Sequence, residues 1–238
     1  MTDQRRLLTT LTVASLLIYP SRRQTPADDH ARRIIAVDIK QAQATVLERV
    51  ALRLGQLDSG HPVRQVIPDD VVLVPVPRHA PQEPKSLWPA LQIARALHAA
   101  GIGAAVSPLL QRTAPIGRST GARTAAERPT PMRHFITIHS DTALGLSSAR
   151  GPHVLVDDVV TTGATLIARA SRLAAIAPDE PITAFAVAPA ERFVSLTAAT
   201  EMFAPYVERV HLRTTVDRNA ADATLAPGSS PPIRVAAP

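Results

Sequence analysis

The chain contains no cysteine. Disulfides and cysteine-ligated zinc are therefore excluded. Lysine is nearly missing as well: Lys40 and Lys85 are the only two, so arginine supplies 24 of the 26 basic residues. Aromatic residues make up 3% of the chain, too few for a base-stacking platform on single-stranded nucleic acid. The apolar run at residues 7–19 is shorter than the ~20 residues a membrane-spanning helix needs. It follows Arg5 and Arg6, is diluted by Thr9, Thr10 and Thr12, and leads to no clear small-residue cleavage site, unlike a secretory signal. We expect it to pack on the domain as a helix or strand, in a cytoplasmic protein without a membrane partner.

What is present suits a globular chain. Of 238 residues, 45% are hydrophobic and 19% charged, enough to bury a core without staples. The formal net charge is +6. Because the arginine fork grips phosphate with parallel hydrogen bonds, the excess points to an anionic partner, a phosphorylated metabolite ahead of nucleic acid.

Residues 21–30 are polar and read as a loop, so residues 1–30 are expected to form an N-terminal appendage and linker. Apolar spacing through Val46, Leu47, Val50, Ala51 and Leu54 predicts a helix. Residues 55–70, with Gly60, Pro62 and Pro68, read as a connector. Val71 to Val74 is a continuous β-branched run, as in a strand buried on both faces. A helix follows over 87–100, stopped by Gly101. Residues 104–110 and 135–138 are further candidate strands. Between them, residues 112–133 lack apolar periodicity and carry Arg112, Arg118, Arg123, Arg128 and Arg133 against one acid, Glu127. So long an unpatterned stretch suggests a mobile lid bringing arginines to an anion. Val154 to Val156 predicts another buried strand, residues 165–177 a helix with Leu166, Ala170, Leu173 and Ile176 inward, and residues 182–188 a strand. Residues 31–215 are expected to form the main domain and 216–238 a flexible tail. Strands alternating with helices predict an α/β fold with a doubly wound, mostly parallel sheet and helices on both faces.

The strongest chemical signal spans residues 154–165. A buried strand runs into Asp157 and Asp158, followed by Val159, Val160, Thr161, Thr162, Gly163, Ala164 and Thr165, and then a helix. The carboxyl end of a parallel strand is where such sheets place ligands. Gly163 would let backbone approach a ligand closely. Free amides at the helix start favour an anion. Thr161, Thr162 and Thr165 can donate hydroxyls to phosphate, while Asp157 and Asp158 can accept from sugar hydroxyls. The segment thus reads as a sugar on the acids and its phosphate in the loop; a plain capped strand–turn–helix is the alternative. A Walker loop would need a lysine, and a dinucleotide fingerprint two further glycines.

This segment resembles the phosphoribosyl pyrophosphate (PRPP) motif of type I phosphoribosyltransferases. More weakly, residues 31–190, including Val74 to Arg78, resemble the ComF-type branch, although that branch's four-cysteine zinc module is missing. The resemblance implies the type I phosphoribosyltransferase fold, and a transferase of nucleotide metabolism that passes the phosphoribosyl group to a nitrogenous base or related acceptor and releases pyrophosphate. It implies catalytic and ribose-binding roles for Asp157 and Asp158, and a 5′-phosphate site at residues 159–165. Pyrophosphate would meet Pro77, Arg78, Arg112, Arg118 and Arg123. Mg²⁺ would arrive with PRPP, held mainly by ligand oxygens and water, with Asp157 the candidate protein ligand. A homodimer is compatible with this reading. Residues 188–193, Phe193 above all, and Phe203 or Tyr206 are candidates for contact with the acceptor. Two other readings stay open. One is a non-catalytic sensor of PRPP or a nucleotide, touching nucleic acid through Arg5, Arg6, Arg22, Arg23 and the basic span. The other is a hydrolase or kinase-like protein acting on another phosphosugar.

Overall fold

The computed structural model describes residues 8–20, 23–78, 81–83, 85–114, 136–138, 151–161, 163–191 and 202–211. Strand β1 is Thr10–Leu17, and Tyr19–Pro20 (β2) continues in the same register along a common neighbour. Helix α1, Pro26–Arg33, begins at a capping box: Thr25 Oγ1 accepts from the Asp28 amide, and Asp28 Oδ2 accepts from the Thr25 amide. It continues as π-helical turns over Ile34–Ile39. Then come α2 (Ala44–Gly55), α3 (Pro62–Val66) and β3 (Val72–Pro75), followed by α4 (Pro89–Ala99) and β4 (Ala105–Val106). The remaining elements are β5 (Leu110–Arg112), β6 (Ile136–Ile138), β7 (His153–Val160), α5 (Ala164–Ala174), β8 (Ile182–Glu191) and β9 (Phe203–His211).

The main sheet runs β4-β3-β7-β8-β1-β9, parallel except for β9, which pairs antiparallel to β1. One face is covered by α2 and α4, whose Leu47, Leu54, Ile93 and Leu97 pack with Leu16, Val154 and Phe185. The other face is covered by α5, whose Leu166, Ile167 and Leu173 pack with Val13, Leu155 and Ala184. The architecture is the expected doubly wound α/β sandwich. A separate two-stranded ribbon pairs β5 with β6 antiparallel, Leu110 opposite Ile138 and Arg112 opposite Ile136.

Several expectations need correction. Residues 10–17 are no appendage: β1 lies inside the sheet, hydrogen-bonded to β8 on one side and β9 on the other. Its unbroken burial from Val13 to Leu17 follows from that place. The polar residues 26–30 are helical, because Asp28 satisfies the helix start and is itself fully buried. Residues 62–66 form a short helix with Pro62 in its first turn. Ile176 lies beyond α5 and is 40% exposed, not inward. The tail at 216–238 lies outside the described residues.

His153 opens β7, paired with Val72 on one side and Ile182 on the other. It is buried, and neither ring nitrogen has a hydrogen-bond partner. Burial lowers its pKa, with Glu180 opposing. Folding therefore keeps the ring neutral, whereas the unfolded ring takes up a proton below about 6.5. The unfolded state then binds more protons, so stability falls as pH drops from there towards the folded-state pKa. We expect urea unfolding to show a loss of stability between pH 7.5 and 5.5 that is smaller in His153→Leu. At pH 7.5 the variant should be the more stable by roughly 1 kcal/mol, since an apolar side chain leaves no buried polar atom unpaired.

Candidate functional site

Strands β3 and β7 pair from Val72–His153 to Pro75–Val156, and the Val76 amide adds one more bond, to Val156 O. The ladder ends there, because Val76 O accepts from Trp88 Nε1 and the Asp158 amide, next in line on β7, donates to Asp157 Oδ1. From β3 the chain crosses through α4 to β4 on one side; from β7 it crosses through α5 to β8 on the other. The sheet's switch point thus lies between β3 and β7, where open α/β sheets bind ligands beyond the carboxyl ends of the strands.

Asp157 and Asp158 stand at this point. They lie inside β7 rather than after it: Asp157 still pairs with Ala186, and the strand runs on to Val160 opposite Pro189. Both are half-buried. Asp157 Oδ1 accepts from the Asp158 amide at 3.0 Å, and Asp158 Oδ1 accepts from the Val159 amide at 2.7 Å. Val156 and Val159 pack on one face of the sheet, Leu155 and Val160 on the other. The two-residue alternation of side chains therefore slips across the acid pair. Burial, and then the charge of Asp158, push the Asp157 carboxyl upward, against the pull of Arg169. A carboxylate held this way gains strongly from any added positive charge beside it.

Helix α5 begins at Gly163, without a side-chain cap and without an acid in its first turn. Its leading amides have no partner inside the helix, and they carry the positive end of the helix dipole. Thr161 is exposed and Thr165 half-buried; Thr162 lies outside the described residues. The role expected of Gly163 needs correction. Its φ is +70°, and a Cβ there would overlap Val210 Cγ1 of β9. The glycine makes room for the protein's own strand, so a ligand does not approach from that side.

Pro77 is buried and Arg78 exposed, at the exit of β3. The segment is held by its carbonyls. Val76 O accepts from Trp88 Nε1 at 2.7 Å, Pro77 O from Arg169 Nη2 at 2.8 Å, and Arg78 O from Arg112 Nε. The Arg78 guanidinium itself donates to Leu87 O at 2.9 Å, leaving the rest of its fork for other acceptors. Arg112 therefore does not reach out to a ligand as expected. It is 1% exposed and faces the protein's own backbone. Burial lowers its pKa to about 10, which leaves it charged at neutral pH. Arg169, missed in the sequence, is 2% exposed on α5. Burial lowers its pKa as well; the charge of Asp157 opposes this and that of Arg112 adds to it. Only its identity, a charged residue on the inward face of an amphipathic helix, could have drawn notice.

Arg118 and Arg123 lie outside the described residues, as does Phe193. The two ends of the arginine-rich span are nevertheless joined, since β5 and β6 pair. Phe203 and Tyr206 sit on β9, opposite Leu17 and Ser15 and separated from β7 by two strands. The Phe203 ring packs 5.6 Å from the Arg53 guanidinium. Among the described residues, no three His, Asp or Glu side chains gather as for a metal ion, and no helix is long and apolar enough to cross a membrane.

Gly163→Ala is expected to lower stability by about 1–3 kcal/mol, from the left-handed backbone and the overlap together. Adding Val210→Ala should restore only the steric part, which denaturant unfolding of the single and double variants would resolve. Comparison of the chain with known protein families and with curated proteins finds no match.

Proposed function

We propose that the protein is a type I phosphoribosyltransferase that binds PRPP with Mg²⁺ and transfers the phosphoribosyl group to a nitrogenous base or related acceptor. The observation that carries this reading is the coincidence of three features at one switch point. These are two adjacent half-buried carboxylates, an uncapped helix start, and an arginine-bearing segment whose carbonyls are all turned to protein donors. A ribose bearing phosphate at one end and diphosphate at the other matches that set. Asp157 and Asp158 accept from the ribose hydroxyls. Thr161, Thr165 and the first amides of α5 hold the 5′-phosphate. Arg78 faces the diphosphate.

In the reaction the bond from the anomeric carbon to pyrophosphate breaks as a nitrogen of the acceptor bonds to that carbon. Positive charge grows on the ribose and negative charge on the leaving group. The Asp157 carboxyl, pushed up to about 8 by burial and by Asp158, is drawn to its ionised form by positive charge beside it and stabilises the first; Arg78 stabilises the second. Asp158 is the better placed by sequence to take the acceptor's proton. The half-buried carboxyl of Asp157 would serve as the protein ligand of a hard cation held otherwise by ligand oxygens and water. The cation's chemistry there is charge neutralisation of the diphosphate.

The test is thermal unfolding with PRPP and Mg²⁺, followed by pyrophosphate release with a panel of bases. Ligand at ~100 times its dissociation constant should add about 2.7 kcal/mol. Asp157→Asn with Asp158→Asn should abolish that gain while keeping the ligand-free melting temperature. An undiminished response in the double variant would remove the acids from the site. Tight binding without release across the panel would make the protein a sensor.

A further inference from the structure

We infer that Arg169 and Arg112 are positioning residues that turn the backbone of residues 77 and 78 so that it accepts a diphosphate, and thereby set the preference for PRPP over ribose 5-phosphate. This rests on the phosphoribosyl reading of the site. A carbonyl oxygen facing a crevice repels an anion, whereas a carbonyl bound behind leaves the other edge of its peptide free to meet one. Here three consecutive carbonyls, of Val76, Pro77 and Arg78, are bound by side chains from three separate elements. Trp88 precedes α4, Arg169 lies on α5 and Arg112 lies on β5. Two of the three donors are arginines that are almost wholly buried and repel each other.

That arrangement is costly if its purpose is only to hold a turn. Buried charge is rarely net stabilising, and a neutral donor would satisfy a carbonyl at lower cost. A pair of cations behind the segment does something a neutral donor cannot: it favours negative charge in front. Arg169 also carries the link to the second half of the site. Its Nη1 donates to Thr165 O at 2.9 Å while Nη2 holds Pro77 O. One guanidinium thus ties the start of the phosphate-holding helix to the exit of β3. Arg112, on the strand that leads into the arginine-rich span, ties that span's root to the same exit.

The discriminating measurement is calorimetric titration of the full-length protein with PRPP and Mg²⁺, and separately with ribose 5-phosphate. The variants are Arg169→Met, Arg169→Lys and Arg112→Met. We expect each methionine variant to lose about tenfold or more in affinity for PRPP, the worth of one charged hydrogen bond. Ribose 5-phosphate affinity should stay within about twofold in Arg112→Met and fall clearly less than PRPP affinity in Arg169→Met, which also loses the bond to Thr165 O, and Arg169→Lys should fall between, keeping the charge but not both bonds. A purely structural role would weaken both ligands together, and that result, or an unchanged ratio in variants of a protein that binds PRPP, overturns the inference. Wild-type protein that binds neither ligand overturns the phosphoribosyl reading itself and this inference with it. Circular dichroism identifies a variant that fails to fold. Should a methionine variant do so, Arg169→Lys carries the test, with a fall in the PRPP to ribose 5-phosphate ratio still expected and an unchanged ratio counting against.

Discussion

Val76 O takes a side-chain donor, Trp88 Nε1, where the next β7 amide would bond, and that amide, of Asp158, donates to Asp157 Oδ1 instead; the separation of β3 from β7 follows from this exchange of partners. Up to Val76 the two strands share a ladder. Beyond it, β7 keeps β8 as its partner on one side and has lost β3 on the other. The acids fall at the first two positions after the parting. Had β3 continued, its backbone would occupy the space in front of Asp157 and Asp158. The opposite crossovers to β4 and β8 then keep α4 and α5 on opposite faces, so neither helix covers the gap.

A segment released from a ladder must still satisfy its carbonyls. Water could do this for an exposed loop. Here Pro77 is buried, and the donors are side chains fixed by α5, β5 and the residue before α4. The exit of β3 is therefore as well determined as a strand, though it belongs to none. The same elements carry the charge balance. Arg169 lies within the field of Asp157 on one side and Arg112 on the other. The geometry of the segment and the electrostatics of the acid pair consequently have one residue, Arg169, in common.

The fold was legible where burial leaves a simple pattern. The runs at Val72 and Val154 are β-branched and wholly buried, and both are strands. The helix over α4 follows from its apolar spacing and from Gly101, which takes a φ of +82°. Legibility failed where a single side chain reverses a local preference. Asp28 looks like a loop residue, yet its carboxylate caps α1 and accepts from the Gln24 and Thr25 amides. The spacing of Thr25 and Asp28 was the available signal. The place of β1 in the sheet was not legible, because which strands become neighbours is decided by long-range pairing. At the site, the acid pair and the helix start could be read from order alone. The function of Gly163 could not: its φ was foreseeable from its residue type, but its contact is with Val210, 47 positions away in the chain.

The arginine bias acquires two distinct physical meanings. At Arg78 the guanidinium is exposed, and a lysine would supply similar charge to an anion. At Arg112 and Arg169 burial sets the two apart. Burial brings Arg112 down to about 10, still protonated at neutral pH. A lysine starts from about 10.4, so the same burial leaves its charge, though kept at neutral pH, less firmly held than that of arginine. Geometry adds a second demand. Arg169 bonds two carbonyls, of Thr165 and Pro77, from two ends of one rigid plane, and an ammonium on a flexible stem has no such fixed fork. Low polarity favours arginine at both positions, and at Arg169 the spacing of two acceptors adds to it, whatever general bias shapes the rest of the chain.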